Sequence, residues 1–176
     1  MKKGAAVAKS SESAFRGLFL GEFEHSLDPQ CRVTLPSEWR EREGETSLVM
    51  IPARDAALLL LPVGTFVEFV ERARKYAIAN ARMQAAFAHL GARARQCRCD
   101  KQGRIALDRR MLDEIGVKSQ LKLIGAVTHI RLCAPENWSS PSPEEMSGYL
   151  SDIQDVSDGK TGSGGVASLL EGMLRQ

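Results

Sequence analysis

Asp28-Pro29-Gln30-Cys31-Arg32-Val33-Thr34-Leu35 and Asp100-Lys101-Gln102-Gly103-Arg104-Ile105-Ala106-Leu107 are two copies of one pattern, 72 residues apart, with Asp, Gln, Arg and Leu identical. At the same offset Gly44 falls opposite Gly116 and Leu58 to Leu61 opposite Ile130 to Cys133. Leu48 to Ile51 lies opposite Gln120 to Leu123 with a small slip. Each half therefore has one plan: a strand, a D-x-x-x-R loop, a short strand, one-and-a-half to two turns of helix, then two more strands. A unit of about 45 residues buries too small a fraction of its surface to be stable alone, so two such units must complete one shared core. The expectation is an interleaved, pseudo-two-fold barrel, mixed α/β and rich in strand.

Local signals fill in this plan. Asp108 is placed to cap a helix with Met111, Leu112 and Ile115 on its apolar face, ended by Gly116. In the first half Pro36 and Ser37 open the corresponding helix, with Trp39 facing inward. The runs Ser47 to Ile51, Ala57 to Leu61, Gln120 to Ala126 and Thr128 to Cys133 are short, largely apolar and contain branched side chains, which predicts strands. Between the halves, Thr65-x-x-Glu68 has the form of a capping box heading a long helical stretch. Phe66, Phe69, Val70, Ala73 and Ala77 share its apolar face, and Met83, Phe87 and Leu90 continue the stripe. Arg72, Arg74, Lys75, Arg82, Arg93 and Arg95 on this stretch could face a phosphate backbone, but solvent is the preferred reading.

The 176 residues include 24 Lys and Arg against 22 Asp and Glu, for a net charge of +2. That balance conceals an asymmetry: 139–176 carries six acids and two bases, leaving 1–138 at +6. A basic body suits a polyanionic partner, although charge of this size also occurs in proteins that bind no nucleic acid. The tail also has eight serines and six glycines, a composition that predicts no order of its own. Within it Val166, Leu169, Leu170, Met173 and Leu174 would line one face of a short helix, either frayed or docked on the body or a partner. The division expected is a flexible N-terminus over 1–18, a first repeat over 19–64, a helical connector over 65–93, a second repeat over 94–138, and the tail. No apolar run is long enough to span a membrane, and the short Ala5 to Ala8 stretch makes no signal peptide, so a cytoplasmic location is expected. Cys31, Cys97, Cys99 and Cys133 then read as reduced thiols.

A lone D-x-x-x-R means little, since 8 Asp and 16 Arg would produce roughly one by chance. Two copies at equivalent places in a repeat, each just before a V/I-x-L strand, carry more weight. Asp28 and Asp100 can accept backbone N–H bonds across a tight loop while holding Arg32 and Arg104. A guanidinium so oriented could meet phosphate or guanine; equally, the pair could only brace the turn.

Gly21 to Pro36, Cys99 to Leu107, and Leu121 to Gly125 ahead of Glu136-Asn137-Trp138 resemble the MraZ family over about residues 15 to 138. The resemblance implies a SpoVT-AbrB type swapped-hairpin barrel (a double-split barrel) with two repeats in one chain. It further implies a nucleoid-associated bacterial transcriptional regulator of the division and cell-wall gene cluster, assembling as a homo-oligomeric ring. Such rings bind short direct repeats in double-stranded promoter DNA, usually as repressors, and members control their own gene with the cluster. By that resemblance Arg32 and Arg104 match DNA-contacting arginines and Asp28 and Asp100 the loop-organising acids. Lys101 is a candidate phosphate contact. No cofactor, metal or small-molecule substrate is implied. In one departure, Cys31 stands where the family's first loop usually has Gly, which implies a different turn or local strain. In a ring that turns one loop edge of every copy toward a common face, weak phosphate contacts would add up to avidity.

The sequence also admits two other readings. Cys97 and Cys99 share one strand face, and His25 is the repeat counterpart of Cys97, so a Cys/His metal cluster is conceivable, although structural zinc prefers C-x-x-C pairs. His89 and His129 have no spaced partners. Alternatively, an antitoxin-like or scaffold protein could use the same barrel and engage a protein partner through the tail. No enzyme is expected: no P-loop, nucleophile elbow or H-E-x-x-H motif occurs.

Overall fold

The computed structural model describes residues 17–41, 45–77 and 80–158. Gly44, the first-half partner of Gly116 in the repeat, and the stripe from Val166 to Leu174 lie outside them. Eight strands form: β1 (Glu22–Ser26), β2 (Arg32–Thr34), β3 (Ser47–Ala53), β4 (Ala57–Pro62), β5 (Arg95–Arg98), β6 (Arg104–Ala106), β7 (Gln120–Gly125) and β8 (Ile130–Cys133). The helices are α1 (Val63–Ala77), α2 (Ala81–Arg93), α3 (Arg109–Glu114) and α4 (Pro143–Ser157). The fold is mixed α/β and β-rich, as the repeat predicts, and every strand pairing is antiparallel.

Interleaving follows from the strand order. Six strands run β1-β7-β8-β4-β3-β5, so the first repeat supplies β1, β4 and β3 while the second supplies β7, β8 and β5. Each repeat's leading strand thus pairs with the other repeat's hairpin, β1 with β7 and β5 with β3. A second sheet contains only β2 and β6, one from each half. Neither repeat can complete its sheet without the other, which is the structural form of the size argument above.

Alternation along the strands divides the large sheet into two faces. Leu48, Met50, Leu58, Leu60, Leu121, Leu123, Ile130 and Leu132 point to an inner core that also takes Val33 and Ile105 from the small sheet and Met111, Leu112 and Ile115 from around α3. Val49, Ile51 and Leu59 point outward and are covered by Leu90 of α2 and by Phe66 and Phe69 of α1. The connector helices and the β2–β6 ribbon therefore lie on opposite sides of the six-stranded sheet. Also on the outer side, Trp138 packs near Ile124 and Cys133. Its Nε1 donates to Glu22 at 2.8 Å, and Lys122 Nζ donates to the same carboxylate at 2.6 Å, tying the two repeats across β1 and β7.

Capping at α3 follows the sequence. Asp108 Oδ1 accepts from the amides of Arg110 (2.9 Å) and Met111 (3.4 Å). At the other end Gly116 has φ +76°, with Val117 N–H bonded to Leu112 O and Gly116 N–H to Asp113 O, the paired bonds of a Schellman ending.

Four expectations need correction. The first-half helix is a single 3-10 turn, Ser37–Trp39, because Arg40 is already extended; Trp39 is buried as expected, edge-on to Phe19 and Phe23. Thr65 does not cap α1, which begins at Val63 directly from β4. The connector is two helices, the second capped by Asn80, whose Oδ1 accepts from Arg82 N (3.0 Å) and Met83 N (3.4 Å). Finally, the tail is helical over Pro143–Ser157. There a capping box outweighs the Ser and Gly composition: Ser142 N–H donates to Glu145 Oε2 at 2.7 Å and Glu145 N–H to Ser142 Oγ at 3.2 Å, with Pro143 at the first helical position.

Candidate nucleic-acid interface

The β2–β6 ribbon pairs Arg32 with Ala106, Val33 with Ile105 and Thr34 with Arg104. Because opposite residues share a face, Val33 and Ile105 enter the core while Arg32, Thr34, Arg104 and Ala106 form the other face. Residues 72 apart in the chain thus become neighbours on one two-stranded ribbon. A D-x-x-x-R loop leads into each strand, one at either end of the ribbon.

The loops use nearly the same bonds. In the first, Asp28 Oδ1 accepts from the amides of Gln30 and Arg32, both at 2.9 Å, and Oδ2 accepts from Arg32 Nε at 2.7 Å. In the second, Asp100 Oδ1 accepts from Gln102 and Arg104 amides, both at 2.9 Å, and Oδ2 from Arg104 Nε at 3.0 Å and Nη2 at 2.8 Å. Each acid also exchanges backbone bonds across its turn: Asp28 N–H donates to Arg32 O, Cys31 N–H to Asp28 O, Asp100 N–H to Arg104 O and Gly103 N–H to Asp100 O. The loops then lock reciprocally, Leu35 N–H donating to Gly103 O and Leu107 N–H to Cys31 O, both at 2.9 Å.

These bonds set the charge state of the acids. Hydrogen bonds from the Arg104 amide and then its guanidinium hold Asp100 down at about 2. For Asp28, desolvation pushes upward as the largest single influence, but the bonds from Arg32 and Gln30 together outweigh it and the carboxyl lies below its ordinary value. Both acids are thus carboxylates at neutral pH, fixing guanidiniums that remain about 30% exposed, 31% for Arg32 and 28% for Arg104. Arg104 Nη1 also lies 3.9 Å from Asp28, linking the two loops, and Arg32 Nη2 donates to Gln30 Oε1. Lys101 is exposed at the tip of the second loop. All five site residues expected from the sequence are therefore gathered on the ribbon and its two loops.

Two further side chains complete the surroundings. Arg40 lies across Gly103 so closely that a Cβ there would collide with its guanidinium, and its own Nε is buried without a partner among the described residues. At the first loop the Arg109 guanidinium lies beside the Cys31 side chain, donates to Lys118 O at 3.1 Å and pairs with Asp113 at 2.8 Å. Each loop is thus braced by an arginine from the other repeat. The repeat could not disclose them, because Arg40 is the counterpart of Leu112 and Arg109 of Ser37.

Cys97 faces the inner core, where burial first and the Asp108 charge second push its thiol up to about 11; Cys99 is pushed up by burial. Among the described residues, no set of three or more His, Cys, Asp and Glu is gathered to hold a metal ion, and no helix is long and apolar enough to cross a membrane.

A family model described as "MraZ protein, putative antitoxin-like" matches residues 18–86. The chain is 30% identical over 142 residues to a transcriptional regulator MraZ from Corynebacterium jeikeium, covering 81% of this chain and 94% of that protein. It is 28% identical over 128 residues to one from Caldicellulosiruptor saccharolyticus, covering 73% and 89% respectively. With one from Clostridium acetobutylicum the identity is 26% over 121 residues, covering 69% and 84%.

Proposed function

The chain belongs to the MraZ family, and on that premise we propose that it is a transcriptional regulator that binds double-stranded DNA sequence-specifically through the β2–β6 ribbon. Arg32 and Arg104 read base edges, Asp28 and Asp100 organise the loops and orient the guanidiniums, and Lys101 contacts phosphate. The targets are short direct repeats upstream of a division and cell-wall gene cluster that includes the protein's own gene, and the usual outcome is repression. The protein acts as a homo-oligomer, a ring, on the nucleoid.

The observation that carries this reading is the shared exposed face of Arg32 and Arg104 on a two-stranded ribbon. A ribbon of that width fits the major groove, about 12 Å across, where a bidentate guanidinium distinguishes guanine from other bases. Fixing each guanidinium before binding lowers the ordering cost of the contact. The test is binding to DNA upstream of the chain's own gene, with scrambled DNA as control, for wild type and the Arg32→Ala, Arg104→Ala double variant. Specific binding that the double variant loses is the expected result. Equal affinity for the two DNAs at moderate salt would overturn the proposal.

A further inference from the structure

We infer that α4 is an arm that docks on the outer surface of α2 in a second copy of this chain. On α4, Met146, Tyr149, Leu150 and Ile153 recur at i, i+3, i+4 and i+7 and are 44, 53, 59 and 65% exposed. Four large apolar side chains on one helical stripe form a face built for burial. The helix is well specified at its start by the Ser142–Glu145 capping box, so the stripe has a definite direction.

The occupant of that face follows from shape, charge and placement. Ala81, Ala85, Ala88 and Ala92 of α2 are all exposed, at i, i+4, i+7 and i+11. Their small side chains leave a shallow track into which the bulkier stripe of another helix can settle at close range. α4 carries four acids and no base, whereas α2 carries two bases, Arg82 and Arg93, and no acid. Pairing two α4 helices would set four acids against four, while placing α4 on the connector sets unlike charges together. The connector lies on the face of the sheet away from the ribbon, so its arginines do not face the DNA that the ribbon would contact. The chain reaches α4 from Trp138, which packs on that same outer side. The contact joins different surfaces of the two copies and so repeats from copy to copy, closing into a ring when the rotation allows. It deepens the assembly part of the proposed function and rests on that part alone.

The experiment is light scattering on the full chain without DNA, with helix content followed by circular dichroism. Wild type is expected to form an assembly of several copies, and Leu150→Asp with Ile153→Asp to fall to monomer mass. Two charge-reversed chains, Arg82→Glu with Arg93→Glu on α2 and Glu144→Arg with Asp152→Arg and Asp155→Arg on α4, are each expected to be monomeric alone and to assemble when mixed, because only the mixture sets unlike charges together at every contact. Unchanged mass in the Leu150→Asp, Ile153→Asp chain would overturn the arm and leave the assembly standing on another surface. Assembly of the Arg82→Glu, Arg93→Glu chain alone would overturn α2 as the docking track. A monomeric wild type would overturn both the arm and the homo-oligomer.

Discussion

The loop from Asp28 to Arg32 and the loop from Asp100 to Arg104 fold alike on different middle residues, Pro-Gln-Cys in one and Lys-Gln-Gly in the other. Cys31 sits at φ +57° and Gly103 at φ +80°, so a residue with a Cβ occupies the left-handed position that glycine fills in the second loop. The sequence leaves a different turn or strain open at Cys31; the structure has the same turn, with the strain. What fixes the turn is the carboxylate, which binds two amides and its arginine in both loops. Glycine lowers the cost of the turn but does not define it. The space at the turn is where the loops differ: Cys31 fills it against Arg109, and Gly103 leaves it to Arg40.

Exchanging the turn residues tests this most strongly. Gly103→Cys is expected to destabilise by about 2–4 kcal/mol in urea unfolding, from the left-handed backbone penalty together with displacement of Arg40. Cys31→Gly is expected to change stability by less than about 1 kcal/mol, since relief of the backbone strain is offset by a freer unfolded chain. Similar losses for both would mean that Arg40 does not depend on the empty space.

For DNA recognition, Arg104→Ala is expected to remove about 1–3 kcal/mol of discrimination between operator and scrambled DNA, the scale of one bidentate base contact. Equal losses on both DNAs would make Arg104 a phosphate contact. Lys101→Ala is expected to weaken both about equally and to make the dependence of log affinity on log salt shallower by about 0.9. An unchanged slope would remove Lys101 from the interface. In the first loop Pro29 stands at this position, so no matching contribution is expected there.

The smallest difference concerns acid. Because both loop acids have folded pKa values below their unfolded ones, their support is present above the ordinary carboxylate range and is lost as pH falls through the folded values. With Asp100 held at about 2 and Asp28 lowered less, the first loop is expected to open at the higher pH. NMR amide signals of Gln30 and Gln102 through an acid titration check this; Gln102 moving first would reverse the comparison.

Much of the site was legible because its information is local. The Asp-to-Arg spacing specifies a turn, alternation in V/I-x-L sends Val33 and Ile105 inward and the arginines outward, and Asp108 and Gly116 bound α3. The Ser142-to-Glu145 box was equally local, and the Ser and Gly content of the tail obscured it. What local pattern could not supply was contact between residues far apart in the chain. That β1 pairs with β7 and β5 with β3, that Arg32 and Arg104 share one ribbon face, and that Arg40 and Arg109 cross to brace the opposite loops are matters of tertiary structure. Sequence alone determined the repeat and its turns, since hydrogen bonding within a few residues sets them. Only the folded chain decided which strands of the two halves pair, because that register is set by long-range packing of the one core that neither half can enclose by itself.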